Sequence, residues 1–221
     1  MSKALIVGAS RGIGLEFVRQ YRAEGWEVTA TARSPDGLRQ LTSLGARALE
    51  LDVIDPQAPA RLSGPLKGTS WDVALYVAGV MSRGGASAAL PREEFDRIMH
   101  ANVFGAMQLI PIIAPGVAAA AGKFGFLSSA LGSIAGTESS STWLYRVSKA
   151  ALNMAVKAAL WEYPDALFLV LSPGWVRTDM GGPGAPVALD QSVSGLRKVI
   201  AGAGRADAGS FIDYEGRRIP W

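Results

Sequence analysis

Tyr145 and Lys149 stand four residues apart in "STWLYRVSKAALN". A phenol, with an ordinary pKa near 10, is a poor reversible acid or base at neutral pH. An ammonium group within a few ångströms favours the phenolate and lowers that pKa, and the i, i+4 spacing puts both side chains on one helix face. Such a pair can donate a proton to an oxygen on which negative charge is growing. With five tyrosines and six lysines in 221 residues, an ordinary helix pair has the same spacing. Its meaning therefore depends on what the chain builds around it.

A second cluster lies near the start, in "VGASRGIGLEF" (7–17). Gly8, Gly12 and Gly14 follow a short apolar run and open a helix-like segment. Together with Ser10, Arg11 and Ile13 they form a turn in which small residues let the backbone approach a pyrophosphate. The helix start adds unpaired N–H groups and the positive end of its dipole. The next apolar run ends "TATARSP", with Arg33 where a carboxylate would accept from a ribose 2′-hydroxyl. Arg33 and Arg11 would instead suit a 2′-phosphate, because a guanidinium meets phosphate oxygens with a planar, always-charged fork. NADP(H) is therefore expected over NAD(H).

The elements that must position these residues alternate along the chain. Segments 3–7, 27–32, 46–51, 72–77, 124–128 and 166–171 read as strands, with 209–214 as a shorter last one. Between them, Ile13–Ala23, Gly37–Leu44, Glu93–Ala121, Tyr145–Glu162 and Asp190–Ala203 read as helices. Pro111 and Pro115 are expected to bend the third of these or end its regular part early. The alternation predicts an α/β fold, a doubly wound parallel sheet with helices on both faces, which binds ligands beyond the carboxyl ends of its strands. A chain of 221 residues, 49% hydrophobic, suffices for one substantial domain over residues 1–221.

Composition removes several classes of chemistry. There is no cysteine and only one histidine, His100, so disulfides, thiol nucleophiles and multi-histidine metal sites are excluded and no metal site is expected. The 16 arginines and 6 lysines are scattered, and with a net charge of +3 no nucleic-acid partner is expected. The opening apolar run is too short for a signal peptide or a membrane span. A cytoplasmic protein with no membrane partner is the expectation.

Through "GASRGIG" and "YRVSK" the sequence resembles the short-chain dehydrogenase/reductase family over essentially its whole length, and a Rossmann-type NAD(P)-binding domain is implied. The resemblance assigns Asp52 and the Val53 backbone N–H to the adenine, and it places Ala78 and Gly79 of "YVAG" against the cofactor, although both asparagines of the family's stretch are replaced. Pro173, Gly174, Val176 and Thr178 of "SPGWVRTDM" match the segment that contacts the nicotinamide. Asn102, Ser129, Tyr145 and Lys149 match the catalytic set, with Ser128 and Ser133 as alternates for the serine, since sixteen residues separate Ser129 from Tyr145. The loop 172–180 and the ending "FIDYEGRRIPW" are similar to the C-factor and sniffer-type carbonyl reductases.

On this resemblance Tyr145 would protonate a carbonyl reduced by NADPH, and Lys149 would tune it and hold the nicotinamide ribose. Ser129 would bind the substrate oxygen, and Asn102 would hold a water near Lys149. Trp143 and Trp175 are candidates to wall the pocket. The short segment after the sixth strand implies an open site that accepts bulky or varied aldehydes and ketones. A homodimer or homotetramer is implied. The competing reading is a nucleotide-binding signalling or regulatory protein with little turnover.

Overall fold

Side chains alternate across each run, and in every strand but the edge strand Arg47–Glu50 most of them are buried. Seven strands result: β1 (Lys3–Val7), β2 (Glu27–Ala32), β3 (Arg47–Glu50), β4 (Val73–Tyr76), β5 (Lys123–Leu127), β6 (Leu167–Ser172) and β7 (Ser210–Asp213). In the computed structural model, which describes residues 1–221, all are parallel in one sheet of order β3-β2-β1-β4-β5-β6-β7. The helices are α1 (Gly12–Ala23), α2 (Pro35–Ser43), α3 (Ala58–Leu66), α4 (Arg92–Met99), α5 (Gly105–Ala119), α6 (Trp143–Ala159) and α7 (Leu189–Gly202). This is the doubly wound, Rossmann-type arrangement expected from the sequence.

The two faces bury separate cores. Leu5, Val7, Tyr76, Phe124, Phe126, Phe168 and Val170 pack beneath residues of α3, α5 and α6. Their neighbours Ala4, Ile6, Leu75, Leu169 and Leu171 turn toward α1, α2 and α7. The first core is aromatic at its centre: Phe124 and Phe126 have ring centroids 4.2 Å apart, and Phe168 lies 5.4 Å and 5.6 Å from them. Phe168→Ala is expected to destabilise the fold by about 3–5 kcal/mol, because the cavity adds to the lost transfer energy. Urea denaturation at neutral pH measures this, and a loss under about 1 kcal/mol would mean the core closes over the gap.

Three local outcomes depart from the sequence reading. Helix α3 was not expected, because "APARLSGPL" carries two prolines and a glycine, yet Ala58, Leu62 and Leu66 fall on one face and are buried in the core. Pro111 and Pro115 do not end the long helix, which runs on to Ala119. Both prolines sit on its exposed side, where water can satisfy the carbonyls left without amide partners. The third departure is a π-helical segment, His100–Phe104, between α4 and α5. Inserting a residue re-aims the side chains around it, and Asn102 is fully buried.

Tyr76 fixes that segment to the sheet. Its buried hydroxyl donates to the Ala101 carbonyl at 2.9 Å, and a Cβ on Gly105 would lie 2.5 Å from the hydroxyl oxygen. The aromatic residue that replaces an asparagine in "YVAG" thus carries a bracing bond of its own. The run from Arg92 to Ala119 is long and apolar enough to cross a membrane, but over half of its most apolar stretch is buried in the protein.

Candidate active site

The strand order reverses between β1 and β4, and the chain leaves the carboxyl ends of both strands through small residues. Gly8 adopts φ +86°, and a Cβ there would lie 2.6 Å from the Ala78 amide nitrogen; only glycine permits the turn and the close approach together. Gly8 N–H donates to Thr31 Oγ1 at 3.0 Å, tying the loop to β2. At the start of α1 no side chain caps the first-turn N–H groups and no acid occupies that turn, whereas α2 is capped by Ser34. This glycine turn fits a phosphate group: its donors have no side-chain competitor, and a side chain at Gly8 would fill the space.

The predicted cofactor residues surround this turn. Asp52 lies at the end of β3, its carboxylate accepting from Ile54 N–H at 3.2 Å, and the Val53 carbonyl accepts from Gln108 at 2.6 Å. From the opposite side, the Thr178 methyl comes within 3.6 Å of where a Gly12 Cβ would be. The Pro173 carbonyl accepts from Ser192 at 2.7 Å, Gly174 turns with φ +78°, and buried Val176 pairs with Val187. The two arginines differ. Arg11 pairs with Asp179 at 3.2 Å across the mouth of the glycine turn, while exposed Arg33 makes no ion pair or side-chain hydrogen bond. Ser10 lies beside Gly37 of α2, near Arg33 at the end of β2.

Tyr145, Lys149, Asn102 and the serine segment meet beyond β4 and β5. Tyr145 and Lys149 are 6% and 4% exposed, and the Tyr145 hydroxyl faces Ser129. Lys149 Nζ donates to the Leu127 carbonyl at 2.8 Å and lies 5.6 Å from the Tyr145 ring centroid. Gly79 faces both: a Cβ there would be 3.2 Å from Asn102 Oδ1 and 3.4 Å from Lys149 Nζ.

The three serine candidates separate by their partners. Ser128 donates to Asn153 Oδ1 at 2.6 Å, and Ser133 donates to the Pro220 carbonyl at 2.6 Å. Only Ser129 lies against Tyr145; its Oγ also accepts from Leu131 N–H at 3.2 Å. Asn102 spends both Nδ2 hydrogens, on the Val80 carbonyl and Ser148 Oγ, each at 2.9 Å, while its Oδ1 accepts from Val80 N–H at 2.7 Å. It clamps the chain leaving β4, the role that the replaced asparagines of "YVAG" left open. Ser148 completes the clamp by donating to the Tyr145 carbonyl at 2.8 Å.

The electrostatics correct one expectation. Burial raises the Tyr145 pKa to about 12, with the neighbouring Ser129 hydroxyl opposing the rise. Burial lowers the Lys149 pKa to about 8. Desolvation thus outweighs the pull of the Lys149 ammonium on the phenol, and that ammonium also donates to the Leu127 carbonyl.

Three loops form the rim. Thr142 takes a left-handed φ of 54° immediately before α6, Trp143 N–H donates to the Gly84 carbonyl at 3.0 Å, and Arg83 donates to the Met180 carbonyl at 3.1 Å. The loop after β4 thereby joins the start of α6 to the segment after β6. Trp143 and Trp175 are 41% and 61% exposed, and the Trp175 indole donates to the Gly181 carbonyl at 2.8 Å. His100 is exposed and meets Phe104 edge-on, away from the site. A separate groove of about 430 Å³, lined by Lys67, Trp71, Pro111 and Pro115 among others, opens at the amino end of the sheet.

The sequence and the fold match known proteins. The short chain dehydrogenase family model matches residues 2–185, and the chain belongs to this family of oxidoreductases. C-signal from Myxococcus xanthus is 35% identical over 153 residues, covering 68% of this chain and 92% of that protein. The carbonyl reductase Sniffer of D. melanogaster superposes with a TM-score of 0.90 at 28% identity, with complete coverage of both chains. A carbonyl reductase from Pseudomonas aeruginosa, solved in complex with NADP, gives a TM-score of 0.88 at 32% identity, again with complete coverage of both.

Proposed function

We propose that this protein is an NADP(H)-dependent carbonyl reductase that converts an aldehyde or ketone to an alcohol, with Tyr145 as general acid. The observation that carries the reading is buried Tyr145, its hydroxyl facing Ser129, at the carboxyl edge of the sheet where the glycine turn also lies. NADPH, when bound, supplies the hydride. Gly8, Ser10, Gly12, Ile13 and Gly14 would hold its phosphates, Asp52 and Val53 its adenine, and Ala78, Gly79, Pro173, Gly174, Val176 and Thr178 its nicotinamide half.

The side chains have complementary tasks. Ser129 and Tyr145 offer two hydroxyls to one carbonyl oxygen, fixing its position and stabilising the charge that grows there. With a pKa of about 12, Tyr145 carries its proton throughout the neutral range and serves as an acid without prior activation. Lys149, at about 8, exchanges its proton near neutral pH and supplies positive charge beside the phenolate left after donation. Asn102 holds β4 and α6 together across the site and keeps one Oδ1 lone pair for a water near Lys149. The exposed Trp143, Trp175 and Met180 give the mouth broad apolar surface, which suits bulky carbonyl compounds.

The chain is further proposed to form a homodimer or homotetramer through Phe104, Met107, Val147, Met154 and Trp161, apolar side chains exposed along the helices beside the sheet. Following NADPH absorbance with aldehydes, ketones and quinones tests the reaction. Oxidation with at least one class is expected, and none with any would transfer the reading to a nucleotide-binding regulatory protein. Arg33→Asp tests the cofactor choice by tryptophan fluorescence titration. Loss of a charge-assisted phosphate contact should weaken NADPH binding about 10-fold to 100-fold while sparing NADH; equal weakening of both would remove Arg33 from the 2′-phosphate.

A further inference from the structure

We infer that Asn153 is a positioning residue for Ser129, the third member of a stripe of side chains on α6 that stitches the serine segment to the helix. The stripe is Tyr145, Lys149 and Asn153, spaced i, i+4, i+8, so that all three face the same side. Each meets a different part of residues 127–132. Tyr145 faces the Ser129 hydroxyl, and Lys149 Nζ donates to the Leu127 carbonyl at 2.8 Å. Asn153 takes both flanks of Ser129: its Oδ1 accepts from Ser128 Oγ at 2.6 Å, and its Nδ2 donates to the Gly132 carbonyl at 3.2 Å.

Asn153 is 3% exposed and Ser128 2%. No water competes for these bonds, and breaking them leaves a buried donor and acceptor unpaired. Gly132 presses the turn onto the helix: a Cβ there would lie 2.9 Å from Lys149 Cβ and 3.1 Å from Asn153 Nδ2. Apart from Tyr145 itself, Ser129 Oγ has only the local Leu131 N–H to orient it. Its position relative to Tyr145 therefore depends on the straps at Ser128 and Gly132. A displacement of well under an ångström there changes the angle at which two hydroxyls meet one carbonyl oxygen.

This inference rests on Ser129 and Tyr145 as the carbonyl-binding pair, and a double-mutant cycle separates the two claims. Turnover and NADPH affinity are measured for wild type, Asn153→Ala, Ser129→Ala and the double variant. Asn153→Ala is expected to lower kcat by about 10-fold to 100-fold with NADPH affinity changed by less than about threefold. In the Ser129→Ala background the same substitution should change kcat by less than about threefold, since the group it positions is gone. Independent, multiplying effects would mean general loosening of the fold and overturn the inference, as would wild-type turnover in Asn153→Ala when Ser129→Ala is crippled. Full turnover in Ser129→Ala would instead remove the reading of Ser129 and the inference with it. If Asn153→Ala does not fold, Ser128→Ala replaces it in the cycle with the same expectations.

Discussion

Replacing Tyr145 with phenylalanine should lower carbonyl reduction by about 10²-fold to 10⁴-fold, the contribution of a positioned general acid, while NADPH still binds. The substitution removes one oxygen and keeps the ring that fills its place in α6. Ser129 Oγ retains the Leu131 N–H, so no buried group is stranded and the fold should persist. Because Tyr145 lies at about 12, wild-type reduction should not titrate through the phenol anywhere near neutral pH. Steady-state kinetics with tryptophan fluorescence titration of NADPH separate turnover from binding. A variant that turns over like wild type would take Tyr145 out of the reaction, whereas one that neither binds nor turns over would point to damage at the cofactor site.

Replacing Lys149 with methionine should have two opposite consequences. Turnover should fall about 10²-fold or more, because the charge beside the phenolate is lost. Stability relative to wild type should become pH-dependent. The folded pKa of Lys149, about 8, lies below its ordinary 10.5, so the unfolded chain binds this proton more tightly. Wild type therefore carries a full penalty below about pH 8, and its stability rises as that penalty disappears between about 8 and 10.5. The methionine variant has no such penalty. Its advantage, on the order of 3 kcal/mol at pH 7 before subtracting the lost bond to the Leu127 carbonyl, should shrink steadily by pH 10. Urea denaturation of both proteins at pH 7, 8.5 and 10 reads the difference. A constant difference across that range would mean that Lys149 keeps its ordinary pKa in the folded protein.

These opposed effects illustrate what local sequence conveys and what it does not. The strands were legible because β1 is a short apolar run after Lys3 and β2 alternates apolar residues with threonine, a good strand former, and both begin and end where the pattern does. Helix α3 was hidden because its two prolines and glycine carry poor helix propensity, and only burial of Ala58, Leu62 and Leu66 selects the helical state. The prolines of α5 misled in the opposite sense, since their cost is small on a solvent-facing side. At the site, spacing was enough to single out Tyr145 and Lys149, and the family resemblance nominated Asn102 and Ser129 beside them. They could not show that burial would set the two pKa values, because desolvation is a property of the assembled interior.

Partnerships across long separations were equally silent. Arg11 was read only as a partner for a 2′-phosphate, but Asp179, 168 residues later, faces it. Asn153 looked like one more polar residue on a helix, although its spacing from Tyr145 and Lys149 repeats theirs. Ser148 likewise stood inside "YRVSK" without a role until Asn102 was found on its hydroxyl. In each case the signal was a periodicity or a charge whose partner only the fold supplies.

The most direct measurement follows deuterium from NADPH carrying deuterium at both C4 positions into the product of a responsive aldehyde or ketone. One deuterium at the carbinol carbon for each NADPH oxidised by wild type, with almost none formed by Tyr145→Phe at saturating NADPH, is the expected result. Label lost to water, no alcohol formed, or equal product from the phenylalanine variant would contradict carbonyl reduction with Tyr145 as its acid.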